Sequence, residues 1–483
     1  MSYRHKAISG VIWAGVQKFG TMILSFVSNI VLARLLSPND FGCMGMLAIF
    51  IAISQTFIDG GFGAALIQKD NPTQKDYSTI FFWNLTLAIV LYAVMFCIAP
   101  SVARFYDISQ LGTILRVLSI ILVVNSLGLI QRVRLRKQLL FKQQAIVDFF
   151  SALIGVTVAI ICAYKGLGVW SLVIYQIVLS SCQTLGLCLV HRWIPSFDFD
   201  FSSFKQLFRY GGFLLMSDLL NTLCDNIQGL IIGKRFSPMI MGYYAQARKL
   251  EEVPTTGISY VVAQVAFPFF SELKNQKSAL YSAHEKSILA SNYVNIPLMF
   301  LLIMVAEPLI VLLFTDKWLD SVPYFRILCV AGLANCMQSV NYQLYVATGR
   351  SKSMFKWNIV KRIVGITLIL LGSLSGVKGI LWGMVVGFWF TYIVNAVLAG
   401  KITGYSVMRQ LSDLLPIVFM VGTAGLIIVF FSQYFAQSYF VTMFLQILVY
   451  IAVILLYSVT FKLKSYEICK GMIVDLLDKR RVV

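Results

Sequence analysis

Histidine and acidic residues are scarce in this chain of 483 residues, which has three histidines and 21 Asp plus Glu against 40 Lys plus Arg. Charged residues make up 13% of the whole, about half the share of a soluble domain. His5, His191 and His284 fall in predicted loops, and none stands near a pair of cysteines. The nine cysteines form no C-x-x-C, and Cys97, Cys162, Cys182, Cys224, Cys329 and Cys336 sit within apolar runs. A thiol there serves as a small buried hydrophobe. The sequence thus offers no ligand set for a metal. It also lacks G-x-x-x-x-G-K-[ST], since Gly229 to Lys234 has neither the spacing nor the hydroxyl. No cofactor is expected. Neither a Ser/His/Asp nor a Cys/His set gathers on one side, and no long outer loop could house a catalytic centre. An enzyme is not expected either.

Hydrophobic residues are abundant, at 58%. Apolar runs of about twenty residues recur along almost the whole length, enough for a helix to cross hydrocarbon. The expected fold is all-α: a polytopic membrane protein of about fourteen transmembrane helices. The runs place them near 9–33, 41–63, 78–102, 111–131, 145–164, 168–190, 207–233, 240–270, 288–314, 322–346, 357–375, 379–400, 413–432 and 440–461. The first run lacks a clear small-residue cleavage site and is too long for a signal peptide, so it is expected to be retained. The net charge of +19 does not point to nucleic acid, because the basic residues lie in alternate loops and form no continuous stripe. With the N-terminus inside, inside Lys and Arg outnumber outside ones by about four to one. Both termini are therefore expected on the cytoplasmic side. The densest inside loops are Arg132 to Lys137 and Arg350 to Arg362, read as topology signals, with acidic headgroup binding as the alternative.

The chain also echoes itself. Ala33-Arg34-Leu35-Leu36-Ser37-Pro38, followed by Gly42, returns as Gly233-Lys234-Arg235-Phe236-Ser237-Pro238, followed by Gly242. Phe105-Tyr106-Asp107 returns as Phe314-Thr315-Asp316, and Arg116 with Asn125 as Arg326 with Asn335. Phe141-Lys142 matches Phe355-Lys356, while Lys165-Gly166 and Trp170 match Lys378-Gly379 and Trp382. The order and near-constant offset imply two copies of six helices. An even number of spans gives both copies the same orientation, so an axis along the membrane normal is expected to relate them. The expected domains are an N-lobe at 1–200, a C-lobe at 201–402, and two extra helices with a cytoplasmic tail at 403–483.

Helix 7 carries Asp218, Asn221, Asp225 and Gln228 at helical spacing, so they share one face. The matching positions in helix 1 are Lys18, Thr21, Ser25 and Ser28. Ionisable groups at such depth face a wet cavity or a partner. In one reading helices 1 and 7 line a central cavity, with Lys18 holding an anion and Asp218 or Asp225 taking a coupling ion. In the other, Lys18 snorkels to the surface and the acids pair structurally. Helix 8 opens with Arg248, Lys249, Glu251 and Glu252. Arg248 and Glu252 are spaced to pair, and Arg248 or Lys249 would suit a phosphate. Arg34, Arg116 and Arg326 are read as interfacial anchors, with substrate contact as the alternative, and Asp59 before Gly60-Gly61 as part of a turn or a helix end.

Several motifs resemble the bacterial polysaccharide transporters. They include Leu32-Ala33-Arg34-Leu35-Leu36-Ser37-Pro38, Asp59-Gly60-Gly61-Phe62-Gly63-Ala64-Ala65-Leu66-Ile67-Gln68 and Asp76-Tyr77-Ser78-Thr79. Gly242-Tyr243-Tyr244, Ala247-Arg248-Lys249-Leu250 and Gly349-Arg350-Ser351 continue the likeness in the second half. It spans nearly the whole chain and implies membership of the multidrug/oligosaccharidyl-lipid/polysaccharide exporter superfamily. It further implies a flippase of the bacterial inner membrane, moving undecaprenyl-pyrophosphate-linked oligosaccharide to the outer leaflet by alternating access. This would serve lipopolysaccharide, O-antigen or related surface polysaccharide biosynthesis, beside a polymerase and glycosyltransferases. The substrate-binding candidates under that resemblance are Lys18, Thr21, Ser25, Asn221, Arg248 and Lys249, and the ion-coupling candidates are Asp218 and Asp225. A cation-coupled multidrug exporter of the same superfamily is the alternative, and a polysaccharide polymerase or ligase a more distant one.

Overall fold

The structure is a computed structural model that describes residues 3–432 and 438–481, and it is helical throughout, without a β-strand among the described residues. The helices of the first half are α1 (Tyr3–Leu35), α2 (Pro38–Asp59), α3 (Phe62–Gln68), α4 (Gln74–Tyr106), α5 (Gln110–Leu118), α6 (Ile120–Lys137), α7 (Phe141–Tyr164), α8 (Val169–Val190) and α9 (Phe201–Arg235). They continue as α10 (Pro238–Leu273), α11 (Lys277–Met304), α12 (Ala306–Phe314), α13 (Val322–Ala347), α14 (Ser351–Gly372), α15 (Gly376–Thr403), α16 (Val407–Ser432), α17 (Tyr439–Thr460) and α18 (Lys464–Arg481). Taking α2 with α3, α5 with α6 and α11 with α12 leaves fourteen segments of membrane length before α18. They match the fourteen apolar runs of the sequence in order. The protein is a multi-pass membrane protein.

Eleven stretches among the described residues are long and apolar enough to cross a membrane by length and composition. One of them, Lys356–Thr403, contains nearly all of α14 and α15, whereas α9 and α13 fall in none. For α9 the reason is its polar stripe, which dilutes the apolar surface.

By packing, the chain divides into two units, Met1–Ala245 and Gln246–Val483. In the first, α7 lies against α1 and α8, and α9 lies against α2, α3 and α4. In the second, α15 lies against α13 and α14, while α11 packs on α13, α16 and α18. The sequence boundary at residue 200 describes repeat correspondence, a different quantity from this division by packing.

The repeated motifs turn out to be helix ends. Ser37 caps α2 in a reciprocal box with Asp40, and Pro38 takes the first helical position. The Ser237 hydroxyl accepts from the Ile240 amide at the start of α10. Asp107, closing α4, and Thr315, following α12, both have left-handed backbone, with φ of 58° and 85°. Asp59 ends α2, and Gly60 caps it at φ 49°. The two matched arginines make matched contacts as well. Arg116 Nε donates to the Phe96 carbonyl at 3.3 Å, and Arg326 Nε to the Ile303 carbonyl at 3.3 Å.

Some expectations need correction. Arg132 to Lys137 is no loop but the C-terminal end of α6, and Ser351 to Arg362 belongs to α14. In both, the helix runs past the hydrocarbon-length core, where apolar periodicity no longer marks it. His284 lies in α11 and is fully buried, because its ring nitrogens find partners on other helices. The C-terminal tail forms α18, which packs on α11 and pairs Lys464 with Glu285 at 2.7 Å.

Candidate functional site

The first unit gathers charge at the C-terminal end of α6. The buried carboxylate of Asp148 on α7 accepts from Gln17 Nε2 of α1 at 2.8 Å and from Gln183 Nε2 of α8 at 3.2 Å. Buried carboxylates persist where such donors satisfy their oxygens. Arg132 and Arg136 of α6 stand within electrostatic range of both Asp148 and Asp59, and Asp59 within range of Asp218 on α9. Asp59 is held by its neighbour Gln55, whose Nε2 donates to it at 3.3 Å. Among the described residues neither arginine forms an ion pair within 4 Å.

The basic run at 132–137 divides by helical geometry into two faces. Arg132 and Arg136, four apart, share the face towards the acids. Arg134 and Lys137, three apart, share another. The Arg134 guanidinium lies 5.2 Å from the Tyr77 ring centroid and 5.9 Å from that of Trp193, a cation–π arrangement. Lys137 Nζ donates to the carbonyls of Leu66 and Ile67 at 3.1 Å and to that of Lys69 at 2.5 Å. It thereby caps the C-terminus of α3, where unpaired carbonyls favour a cation. One face of the run is structural. The other presents two guanidinium groups, whose planar donor forks suit phosphate oxygens.

Of the residues expected to bind or couple, Asp218 joins this cluster. It is exposed on α9, as is Asp225, and Asn221 is half-buried. The helix that carries them starts at Asp200, whose carboxylate accepts from the Ser203 hydroxyl at 2.7 Å and the Ser202 amide at 2.9 Å. Those hydrogen bonds hold the Asp200 carboxyl below the usual range. Farther along, Thr56 and Thr222 hydroxyls meet at 2.9 Å and fix α9 to α2. On α1, Lys18 and Ser25 are exposed, Thr21 is half-buried, and Ser28 is buried. The Thr21 hydroxyl donates to its own helix, to the Gln17 carbonyl at 2.8 Å or to that of Lys18 at 3.1 Å. Sequence reasoning missed Gln17, Asp148 and Gln183. The one signal for them in the sequence is an acid within an apolar run, Asp148.

The second unit holds a cavity of about 160 Å³ lined by Arg248, Glu251, Glu252, Thr255, Asn335 and neighbouring apolar residues. Arg248 Nε and Glu252 Oε1 form the expected pair at 2.7 Å. Lys249 is exposed, and Glu251 is buried.

The family model described as "Polysaccharide biosynthesis protein" matches residues 31–323. Among curated proteins, the teichuronic acid biosynthesis protein TuaB of Bacillus subtilis is 26% identical over 85% of this chain and 85% of its own length. The lipopolysaccharide biosynthesis protein WzxC of Escherichia coli is 25% identical over 83% of this chain and 81% of its own. Among solved structures, the lipid II flippase MurJ in its inward closed conformation superposes with a TM-score of 0.76 at 15% identity, covering 93% of this chain and 98% of that one. At that identity the likeness establishes the fold. This chain belongs to the polysaccharide biosynthesis protein family.

Proposed function

We propose that this protein is a flippase. It would carry undecaprenyl-pyrophosphate-linked oligosaccharide units from the cytoplasmic to the outer leaflet of the bacterial inner membrane by alternating access. Its termini would lie in the cytoplasm, and a polymerase and glycosyltransferases would act beside it. The names of the relatives TuaB and WzxC support a role in surface polysaccharide synthesis. The observation that carries the substrate class is the Arg132–Arg136 pair. It comprises two guanidinium groups one helical turn apart, near acids but without an ion pair within 4 Å among the described residues. A diphosphate would supply the anion that this pair lacks. With N-terminus inside, α6 ends on the cytoplasmic side, where the cargo is made. Lys18, Thr21, Ser25, Asn221, Arg248 and Lys249 are proposed to contact cargo, and Asp218 or Asp225 to respond to a coupling ion.

The test is reconstitution. Purified protein in liposomes is expected to move a labelled polyprenyl-pyrophosphate sugar between leaflets, and R132A/R136A is expected to lose that activity while inserting normally. Wild-type protein that exports an apolar cation but leaves the lipid-linked sugar in place would overturn the reading in favour of a drug exporter.

A further inference from the structure

Glu251 stands apart from the other acids of the second unit among the described residues. It is 6% exposed, yet it lines the cavity described above. Its helical neighbour Arg248 is engaged with Glu252 at 2.7 Å, and Glu251 has no ion pair within 4 Å among the described residues. The opposing helix makes room for this carboxylate, since a Cβ on Gly332 of α13 would fall 2.7 Å from Glu251 Oε1. The other groups facing it are the Cys329 and Cys336 thiols of α13, within electrostatic range. Thr255 lies on its own helix, and Phe388 lines the cavity from α15. Arg248 acts on it at electrostatic range and Thr255 by its side chain, but a buried carboxylate without an ion pair is costly to keep charged.

A chain of side-chain amides leads away from the same cavity. Asn335, which lines it, accepts at Oδ1 from Gln338 Nε2 at 2.8 Å. Gln338 Oε1 accepts from Asn395 Nδ2 at 3.2 Å. Asn395 Oδ1 in turn accepts from Lys361 Nζ at 2.7 Å. Lys361 is 8% exposed and has no carboxylate within 4 Å among the described residues. Every donor in the chain points from Lys361 towards Asn335, so the ammonium polarises the series towards the cavity. The arrangement has a counterpart in the first unit. Gln183, like Asn395, stands thirteen residues after its matched tryptophan, and it holds the buried acid Asp148 where Asn395 holds a buried base.

We propose that Glu251 is a proton-binding site of the transport cycle. Its carboxylate takes one proton from solvent entering the cavity and becomes a neutral carboxylic acid, then returns that proton, with no other bond made or broken. Lys361 is a positioning residue. Through Asn395, Gln338 and Asn335 it orients amide donors towards the cavity when Glu251 is charged. Losing that charge removes their anionic target, and α13, α14 and α15 sense the change together. This inference rests on the transporter reading but is tested apart from it.

Infrared difference spectra of the purified full chain in lipid, titrated between about pH 5 and 9, are expected to show a buried carboxyl C=O band that appears on acidification. The band is expected to vanish in Glu251→Gln and to persist in Glu252→Gln. In Lys361→Met its midpoint should move by about one pH unit. The same band in Glu251→Gln, or none in the wild type, overturns the proposal. In liposomes a pH gradient is expected to speed lipid-linked sugar movement severalfold for wild type and not for Glu251→Gln. Equal stimulation of both overturns it too. If no sugar moves in any preparation while the band titrates as described, the cargo assignment fails and the proton site stands.

Discussion

Gly42 and Gly242 each rest on the other helix's first carbonyl. A Cβ on Gly42 would fall 1.7 Å from the Pro238 oxygen, and one on Gly242 would fall 1.9 Å from the Pro38 oxygen. The two starts of α2 and α10 therefore cross at backbone contact, with Ser-Pro and Gly serving the same purpose in each. Ser and Pro begin the helix, and the glycine one turn on lets the neighbouring backbone in. The packing around them follows the same logic, for Gly45 and Gly233 lie against Met241 and Met46.

Alanine at either position is therefore expected to be severe. No side chain can move aside, because the atoms met are backbone. Overpacking of a tight contact costs about 1–3 kcal/mol or more, so Gly42→Ala and Gly242→Ala should lower the melting temperature in detergent and the yield of monodisperse protein. Gly20→Ala is the control, since nothing lies within 4 Å of its added Cβ. Equal melting of all three would show that the crossing does not hold the first unit together.

The basic run of α6 yields a prediction of opposite kinds on its two faces. Lys137→Ala removes the donor to three carbonyls at the end of α3, and one hydrogen bond to a charged group is worth about 1.5–3 kcal/mol. Arg134→Ala removes the cation between Tyr77 and Trp193. Both should reduce stability and membrane abundance. Arg132→Ala and Arg136→Ala should leave abundance near wild type and reduce surface polysaccharide export. Immunoblots of membranes beside export assays separate the two classes, and a uniform loss of abundance across all four would remove the division.

Much of this is legible in the sequence. Hydrophobic length gave the fourteen segments, and the echo of Ser37-Pro38-Gly42 in Ser237-Pro238-Gly242 pointed to equivalent helix starts. The run at 132–137 was harder. Charges at a helix end look like a loop when only apolar periodicity is followed, and their division into faces needs the partners Tyr77, Trp193 and Asp148. Tyr77 and Trp193 lie 57 and 59 residues from Arg134. Asp148 illustrates the limit, since its oxygens are satisfied by Gln17 and Gln183, 131 and 35 residues away. His284 is hidden for a similar reason: its ring nitrogens find their partners on two other helices, Asn341 of α13 and Thr403 of α15.

Helix α1 offers a contrast between adjacent residues. Gln17 is committed to buried Asp148, whereas Lys18 is exposed. Gln17→Leu should strand one carboxylate oxygen at a cost of about 1–3 kcal/mol, visible as a lower melting temperature. Lys18→Ala should melt as wild type and impair export, in keeping with its proposed contact to an anionic cargo. Normal export in Lys18→Ala would withdraw that residue from the cargo set without touching the role of Gln17.

The last prediction concerns the polar core of the second unit. His284 Nε2 meets Asn341 Oδ1 at 2.9 Å, and Nδ1 meets the Thr403 hydroxyl at 3.2 Å. Asn341 Nδ2 donates to Gln410 Oε1 at 3.1 Å, and Gln410 Nε2 donates to the Tyr405 carbonyl at 3.2 Å. His284, Asn341 and Gln410 are all fully buried, so α11, α13 and α16 are joined by groups that water does not reach. Nearby, the Tyr405 hydroxyl donates to Asp413 at 2.7 Å, and burial followed by that carboxylate pushes the Tyr405 phenol well up. Asn341→Leu would leave His284 Nε2 without its partner at a cost of about 1–3 kcal/mol, while Gln410 keeps the Tyr392 hydroxyl and the Tyr405 carbonyl. His284→Phe removes the ring nitrogens together with their need for partners and should cost less than Asn341→Leu. Thermal melts of the two variants in the same detergent check the order. Asn341→Leu melting at or above His284→Phe would mean that packing, and not hydrogen-bond satisfaction, holds these helices.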